Sequence, residues 1–110
     1  MIDEHAIAVG VGPDGQIWTK HFGMAPYYYV FDRQGNLLEK RENPHSTATH
    51  HDDPTLIAEI LPECDTYLAR RMGSRSRKKL MEEMGITPVL VSETNPKTAV
   101  REYLKGVKHK

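Results

Sequence analysis

The side chains able to do chemistry fall into three groups along the chain. The first is His21 in the run His21-Phe22-Gly23-Met24-Ala25-Pro26-Tyr27, which closes a glycine-rich loop and leads into the most strand-like run, Tyr27–Phe31. Pro26 fixes φ at that strand's entrance and removes a donor that a first strand residue can spare. An imidazole between a glycine hinge and a rigid strand reads as a ligand on a loop more than as a core residue. The second group is His45, His50 and His51 with Asp52 and Asp53. Imidazole suits zinc, copper, iron or nickel, and carboxylates accept harder ions. The spacing matches no structural zinc pattern, and the single Cys64 cannot build a thiolate site. A solvated loop whose Asp53 caps a helix is the stronger reading; a metal site on His45, His50 and His51, with His21 as a further imidazole, is its rival.

The third group surrounds Met72-Gly73-Ser74. Arg70, Arg71, Arg75, Arg77, Lys78 and Lys79 crowd what reads as a helix start, where the helix dipole prefers acids. Tolerated cations at such a place point to an anion, because free backbone N–H groups and guanidinium groups both favour one. Arg71, Met72, Gly73, Ser74 and Arg75 are the expected anion-binding residues, while Lys78 and Lys79 also fit a plain solvated helix face. No Gly-x-Ser-x-Gly, His-Glu-x-x-His, phosphate-binding loop or complete Gly-x-Gly-x-x-Gly is present. Cys64, just after Pro62, reads as buried packing rather than a nucleophile. A non-catalytic protein is therefore expected.

Composition sets outer bounds. At 110 residues, with 38% hydrophobic and 27% charged residues, the chain fits one soluble domain, residues 1–110 with a basic tail at 106–110. Formal net charge is zero, so no overall field draws in nucleic acid, and no aromatic–basic interleaving supports base stacking. One cysteine excludes an internal disulfide and favours a reducing compartment. The acidic Met1-Ile2-Asp3-Glu4 is no secretory leader, and no stretch approaches a membrane span. Cytoplasmic residence is the expectation.

These groups need elements to position them. Residues 6–9 are small and apolar throughout, as in a strand covered on both faces, and Gly10, Gly12, Pro13 and Gly15 then open a loop. Tyr27–Phe31 is a second strand whose three tyrosines alternate faces, so at least one is core. Asp32-Arg33-Gln34-Gly35-Asn36 reads as a hairpin turn with Gly35 at positive φ. Residues 37–41, more polar, form a third strand nearer an edge. Asp53-Pro54 starts a helix with Leu56, Ile57, Ile60 and Leu61 on one stripe. Cys64–Ala69 is a weak fourth strand, because Asp65 and Thr66 interrupt it. A second helix runs from the Gly73-Ser74 turn through Met84, with Leu80, Met81 and Met84 inward and Gly85 at its end. Residues 86–91 give a fifth strand, and Asn95 or Thr94 caps a last helix at 96–105.

The order β-β-β-α-β-α-β-α implies a meander with strand two antiparallel, then a crossover laying strand four parallel to strand one. The loops holding His21, the histidine-rich stretch and the basic turn then all leave the sheet at one edge. Open α/β sheets bind ligands at the carboxyl ends of strands, where the order switches direction. One crevice should therefore collect all three groups.

His21-Phe22-Gly23-x-Ala25-Pro26, the aromatic strand, the glycine hairpin, Glu42-Asn43-Pro44 and Met72-Gly73 after strand four resemble the dinitrogenase iron–molybdenum cofactor biosynthesis family. These are the small NifX- and NafY-type domains, also found at the end of NifB, and the likeness runs from about Ala6 to Gly106. The resemblance implies an α/β, ribonuclease H-like fold: a mixed five-stranded sheet, strand two antiparallel, with helices on both faces. It implies a non-catalytic carrier for an anionic iron–sulfur or iron–molybdenum-type cluster or its precursor, with donor and acceptor proteins as partners and a monomer or weak homodimer as the working form. By that likeness His21, Phe22 and Gly23 form the cluster-binding motif, His21 being the leading ligand. Family members often show Gly-Met-Gly where this chain has Arg71-Met72-Gly73, so charge is added at the crevice. The competing expectation is a regulatory module that binds a divalent metal or an anion through the histidine-rich loop.

Overall fold

A computed structural model of the 110-residue chain describes residues 5–44 and 54–108. His45, His50, His51, Asp52 and Asp53 lie outside the described residues, as does the Leu56 side chain. The elements in order are β1 (Ala6–Val11), a 3₁₀ turn (Phe22–Met24), β2 (Tyr27–Phe31), β3 (Leu37–Glu42), α1 (Pro54–Ile60), β4 (Cys64–Ala69), α2 (Ser74–Glu83), β5 (Thr87–Leu90) and α3 (Pro96–Lys108). The strands make one sheet in the order β3-β2-β1-β4-β5. β2 runs antiparallel to both β1 and β3, and β4 lies parallel to β1 and to β5. This is the mixed ribonuclease H-like sheet that the motifs imply.

The period of two in β1 explains why both faces are covered. Ala6 and Ala8 face one way, with Tyr28, Val30, Tyr67 and Ala69 of the neighbouring strands, and they are covered by Ile57 of α1, Leu61 just after it and Leu80 of α2. Ile7, Val9 and Val11 face the other way with Phe31 and Leu68, beneath Ala99, Val100 and Leu104 of α3. Every residue of β1 is buried, as its unbroken small apolar run requires. β1 continues past Val9 because Gly10 faces the 3₁₀ turn. A Cβ there would stand 3.2 Å from Ala25 Cβ and 3.3 Å from Phe22 Cδ1.

The hairpin joining β2 to β3 is the one its residues predict. Gly35 has φ +87°, and Asp32 Oδ1 accepts the N–H groups of Gln34 and Asn36, both at 2.9 Å. β4 is better buried than its Asp65 and Thr66 led us to expect, because it sits between β1 and β5. Thr66 Oγ1 receives Arg33 Nη2 at 3.1 Å and donates to Asp65 Oδ1 at 2.9 Å, so the polar atoms are satisfied locally. Leu80 points inward from α2 and Met84 packs beside the core, but Met81 is 56% exposed. Met81 follows Leu80 directly, and a 100° turn of helix carries it off the buried stripe. Gly85, at φ +66°, ends α2, and Asn95 Oδ1 accepts the Thr98 N–H at 3.0 Å to cap α3.

Candidate ligand crevice at the carboxyl edge of the sheet

Because β1, β3 and β4 run the same way, their carboxyl ends meet at one edge of the sheet. There the His21 loop and the basic turn come together. His21 and Arg71 form an isolated parallel bridge, and the Phe22 N–H donates to the Arg71 carbonyl at 3.1 Å. Gly73 lies against the imidazole: a Cβ on it would be 3.7 Å from His21 Cε1 and 3.9 Å from Nδ1. His21, half-buried, makes no side-chain cap bond to the 3₁₀ turn it precedes.

Three features hold the loop. Phe22 is 4% exposed and packs against Tyr67 (centroids 4.8 Å apart, planes at 16°) and Tyr28 (4.9 Å, tilted). Burying such a ring stabilises the fold by roughly 1.5–3 kcal/mol, with about 0.5–1.5 kcal/mol more for each ring pair. Phe22 is thus the anchor of the motif, its side chain directed into the core. Tyr28, fully buried, donates from its hydroxyl to the Phe22 carbonyl at 2.8 Å. Burial, with Tyr67 close by, pushes that hydroxyl well above the ordinary phenol range, so it stays a donor.

Asn43, just past β3 and 5% exposed, is the third. Its Nδ2 reaches the Ala25 carbonyl at 2.8 Å, the Gly23 carbonyl at 3.2 Å and Tyr28 Oη at 3.2 Å, while its N–H donates to the Pro26 carbonyl at 2.9 Å. In the sequence Asn43-Pro44 reads only as a strand stop, with no sign of this role. An asparagine before proline looks like a turn residue, and only the pairing of β3 with β2 brings its amide beneath the loop.

The basic turn occupies the other side. Gly73 is the N-cap of α2 and offers no side-chain acceptor, and the first turn of α2 holds no acid. Met72 is buried, whereas Arg71, Ser74 and Arg75 are exposed. Among the described residues, none of Arg70, Arg71, Arg75, Arg77, Lys78 and Lys79 pairs with a carboxylate. Arg77 Nε is buried without an acceptor among the described residues, as is Trp18 Nε1, whose ring packs against the same core face. The edge therefore carries a surplus of N–H donors and positive charge, which an anion complements. No group of three or more His, Cys, Asp or Glu gathers anywhere among the described residues. Cys64 is buried, at the other end of β4 from this turn.

Carboxylates cluster elsewhere, where they brace the frame. Arg41 of β3 bonds Glu63, Glu39 and the Ile60 carbonyl, clamping the edge strand to the end of α1. The Arg41 hydrogen bond outweighs partial burial and holds the Glu63 carboxyl below its usual range. Asp65 joins Arg33 at 2.7 Å and His5 at 2.9 Å at the opposite end of the sheet. Partial burial alone would raise the Asp65 carboxyl, but bonds from His5 and Thr66 and the Arg33 charge bring it below the usual range.

Residues 4–106 match the family model described as dinitrogenase iron-molybdenum cofactor. No curated protein matches the chain. Among solved structures, the apo form of the orange protein from Desulfovibrio gigas superposes with a TM-score of 0.75 at 22% identity, over 93% of this chain and 88% of that one. The Thermotoga protein TM1290, a NifB candidate of the DUF35 family, superposes with a TM-score of 0.70 at 18% identity, over 93% of this chain and 89% of that one. Both likenesses are of fold. No helix among the described residues is long and apolar enough to cross a membrane. With its motif loop, sheet order and nearly full-length match in agreement, the chain belongs to the dinitrogenase iron-molybdenum cofactor family.

Proposed function

We propose that this protein binds an anionic iron–sulfur or iron–molybdenum-type cluster, or its precursor, and passes it between a donor and an acceptor protein without catalysing a reaction. The observation that carries the reading is the pairing of His21 with Arg71. It puts one imidazole beside an uncapped helix start flanked by cations that meet no carboxylate among the described residues. A preassembled anionic cluster needs one or a few protein ligands, and charge complementarity supplies the rest of its hold. A bare divalent ion instead needs three or four protein ligands, and the rival set, His45, His50 and His51, lies outside the described residues. In this reading His21 offers a nitrogen to the cluster, Gly73 lets it approach the backbone, and Arg71, Ser74 and Arg75 carry its charge. Phe22 and Gly23 set where the imidazole stands.

Anaerobic purification with metal and sulfide analysis tests the proposal. Iron with acid-labile sulfide, or molybdenum, co-purifying with the protein is the expected result. Zinc or nickel without sulfide would overturn it in favour of a divalent-metal module using His45, His50 and His51.

A further inference from the structure

The α3 face of the sheet carries a groove that the His21 crevice does not use. Tyr29 and Phe31 form its floor, Leu37 and Lys40 of β3 one wall, and Pro96 and Lys97 at the start of α3 the other, an open groove of about 330 Å³. The strand register dictates this lining. Leu37 stands opposite Phe31 and Lys40 opposite Tyr29, so an aliphatic and a cationic side chain each adjoin an aromatic one on the same face.

Two properties of the lining together suit one class of ligand. Leu37 stays 43% exposed at the groove wall although two rings lie within it. The Lys40 ammonium lies 5.0 Å from the Tyr29 ring centroid, held against the aromatic wall. Neither Lys40 nor Lys97 pairs with a carboxylate among the described residues, and no acid lines the groove. An inorganic anion would leave the rings and Leu37 without a role, and a neutral apolar molecule would leave the lysines without one. We propose that this groove binds a small aromatic anion, an aryl carboxylate or aryl phosphate, with its ring against Leu37 and its charge between Lys97 and the Lys40 ammonium that lies over Tyr29. The volume is at the small end for ligand sites and suits one or two fused rings. This site is independent of the cluster reading and stands or falls without it.

Titration of the ¹⁵N-labelled full chain with 1-naphthoate, followed by amide shifts, tests the proposal. Neutral 1-naphthalenemethanol and inorganic phosphate serve as controls. The expected result is saturable shifts at Tyr29, Leu37 and Lys97 with His21 and Arg71 unmoved, and at least tenfold weaker binding of both controls. Joint replacement Lys40→Gln and Lys97→Gln should weaken naphthoate at least tenfold at low salt. Leu37→Asp, at a position 43% exposed, should abolish binding while amide shifts away from the groove stay native. Absence of saturable shifts, shifts centred on His21 and Arg71, equal affinity for the neutral alcohol, or unchanged binding by the variants would each overturn the proposal.

Discussion

His21, Asn43, Arg71 and Arg75 separate holding a ligand from holding the fold. His21 makes no side-chain cap bond and is half-buried on a loop, so His21→Ala should leave the melting temperature within about 2 °C of wild type, a shift of under ~0.5 kcal/mol in a domain this size. Asn43→Ala should do the opposite. It removes the donor shared by the Gly23 and Ala25 carbonyls and Tyr28 Oη, at a cost of about 1–3 kcal/mol, read by denaturant unfolding. Cluster retention should fall with it, because the loop bearing His21 loses its brace. Arg71 and Arg75 sit beside the uncapped start of α2, where their charges oppose the helix dipole. Changing both to Gln should leave the melting temperature of the free protein unchanged or raise it. Each charge-assisted bond lost to an anionic ligand such as tetrathiomolybdate should cost about 1.5–3 kcal/mol, roughly ten- to a hundredfold in affinity. That loss should shrink at high salt, where exposed charges are screened. Equal affinity at low salt would make these arginines a solvated face.

At the scale of elements, the sheet edge works because β1 tolerates close packing where the motif docks. Gly10→Ala would push a Cβ to 3.2–3.3 Å from Ala25 and Phe22, and Phe22 is wedged between two buried tyrosines, so it has little room to yield. A loss of about 1–3 kcal/mol is expected in thermal unfolding. The braces at Glu63 and Asp65 make stability depend on pH. Their carboxyls sit below the usual range in the folded chain, so their stabilisation is present above the unfolded carboxylate value, about pH 4, and is lost as pH falls through the lower folded values. Melting temperature should plateau above about pH 5 and fall steadily below pH 4, with Glu63→Gln flattening part of that fall. The hairpin, the buried run of β1 and the N-terminal cap of α3 were legible in the sequence because each follows from local chemistry: a positive-φ glycine, an apolar run, an asparagine three residues before an N–H. The burial of β4 was not legible, since Asp65 and Thr66 are satisfied by Arg33 from a distant hairpin. The outward turn of Met81 follows from helix periodicity alone: directly after Leu80, it stands about 100° off the stripe that Leu80 and Met84 share.

For the whole molecule, the order of strands predicts that three loops converge at one edge, and two of them lie among the described residues. Three strands running one way must end at one edge, and His21 and Arg71 duly meet there. The role of Asn43 and the space left by Gly10 could not be read, because both depend on the register between strands far apart in the chain. The central claim is that this edge carries an anionic metal cluster through His21. Its most direct test is anaerobic reconstitution of wild type and His21→Ala with the same iron–sulfur or molybdenum-containing cluster, followed by desalting and counting iron, molybdenum and labile sulfide per chain. The account predicts a cluster retained by wild type and largely lost by His21→Ala at equal melting temperature; equal retention by the two proteins would contradict it.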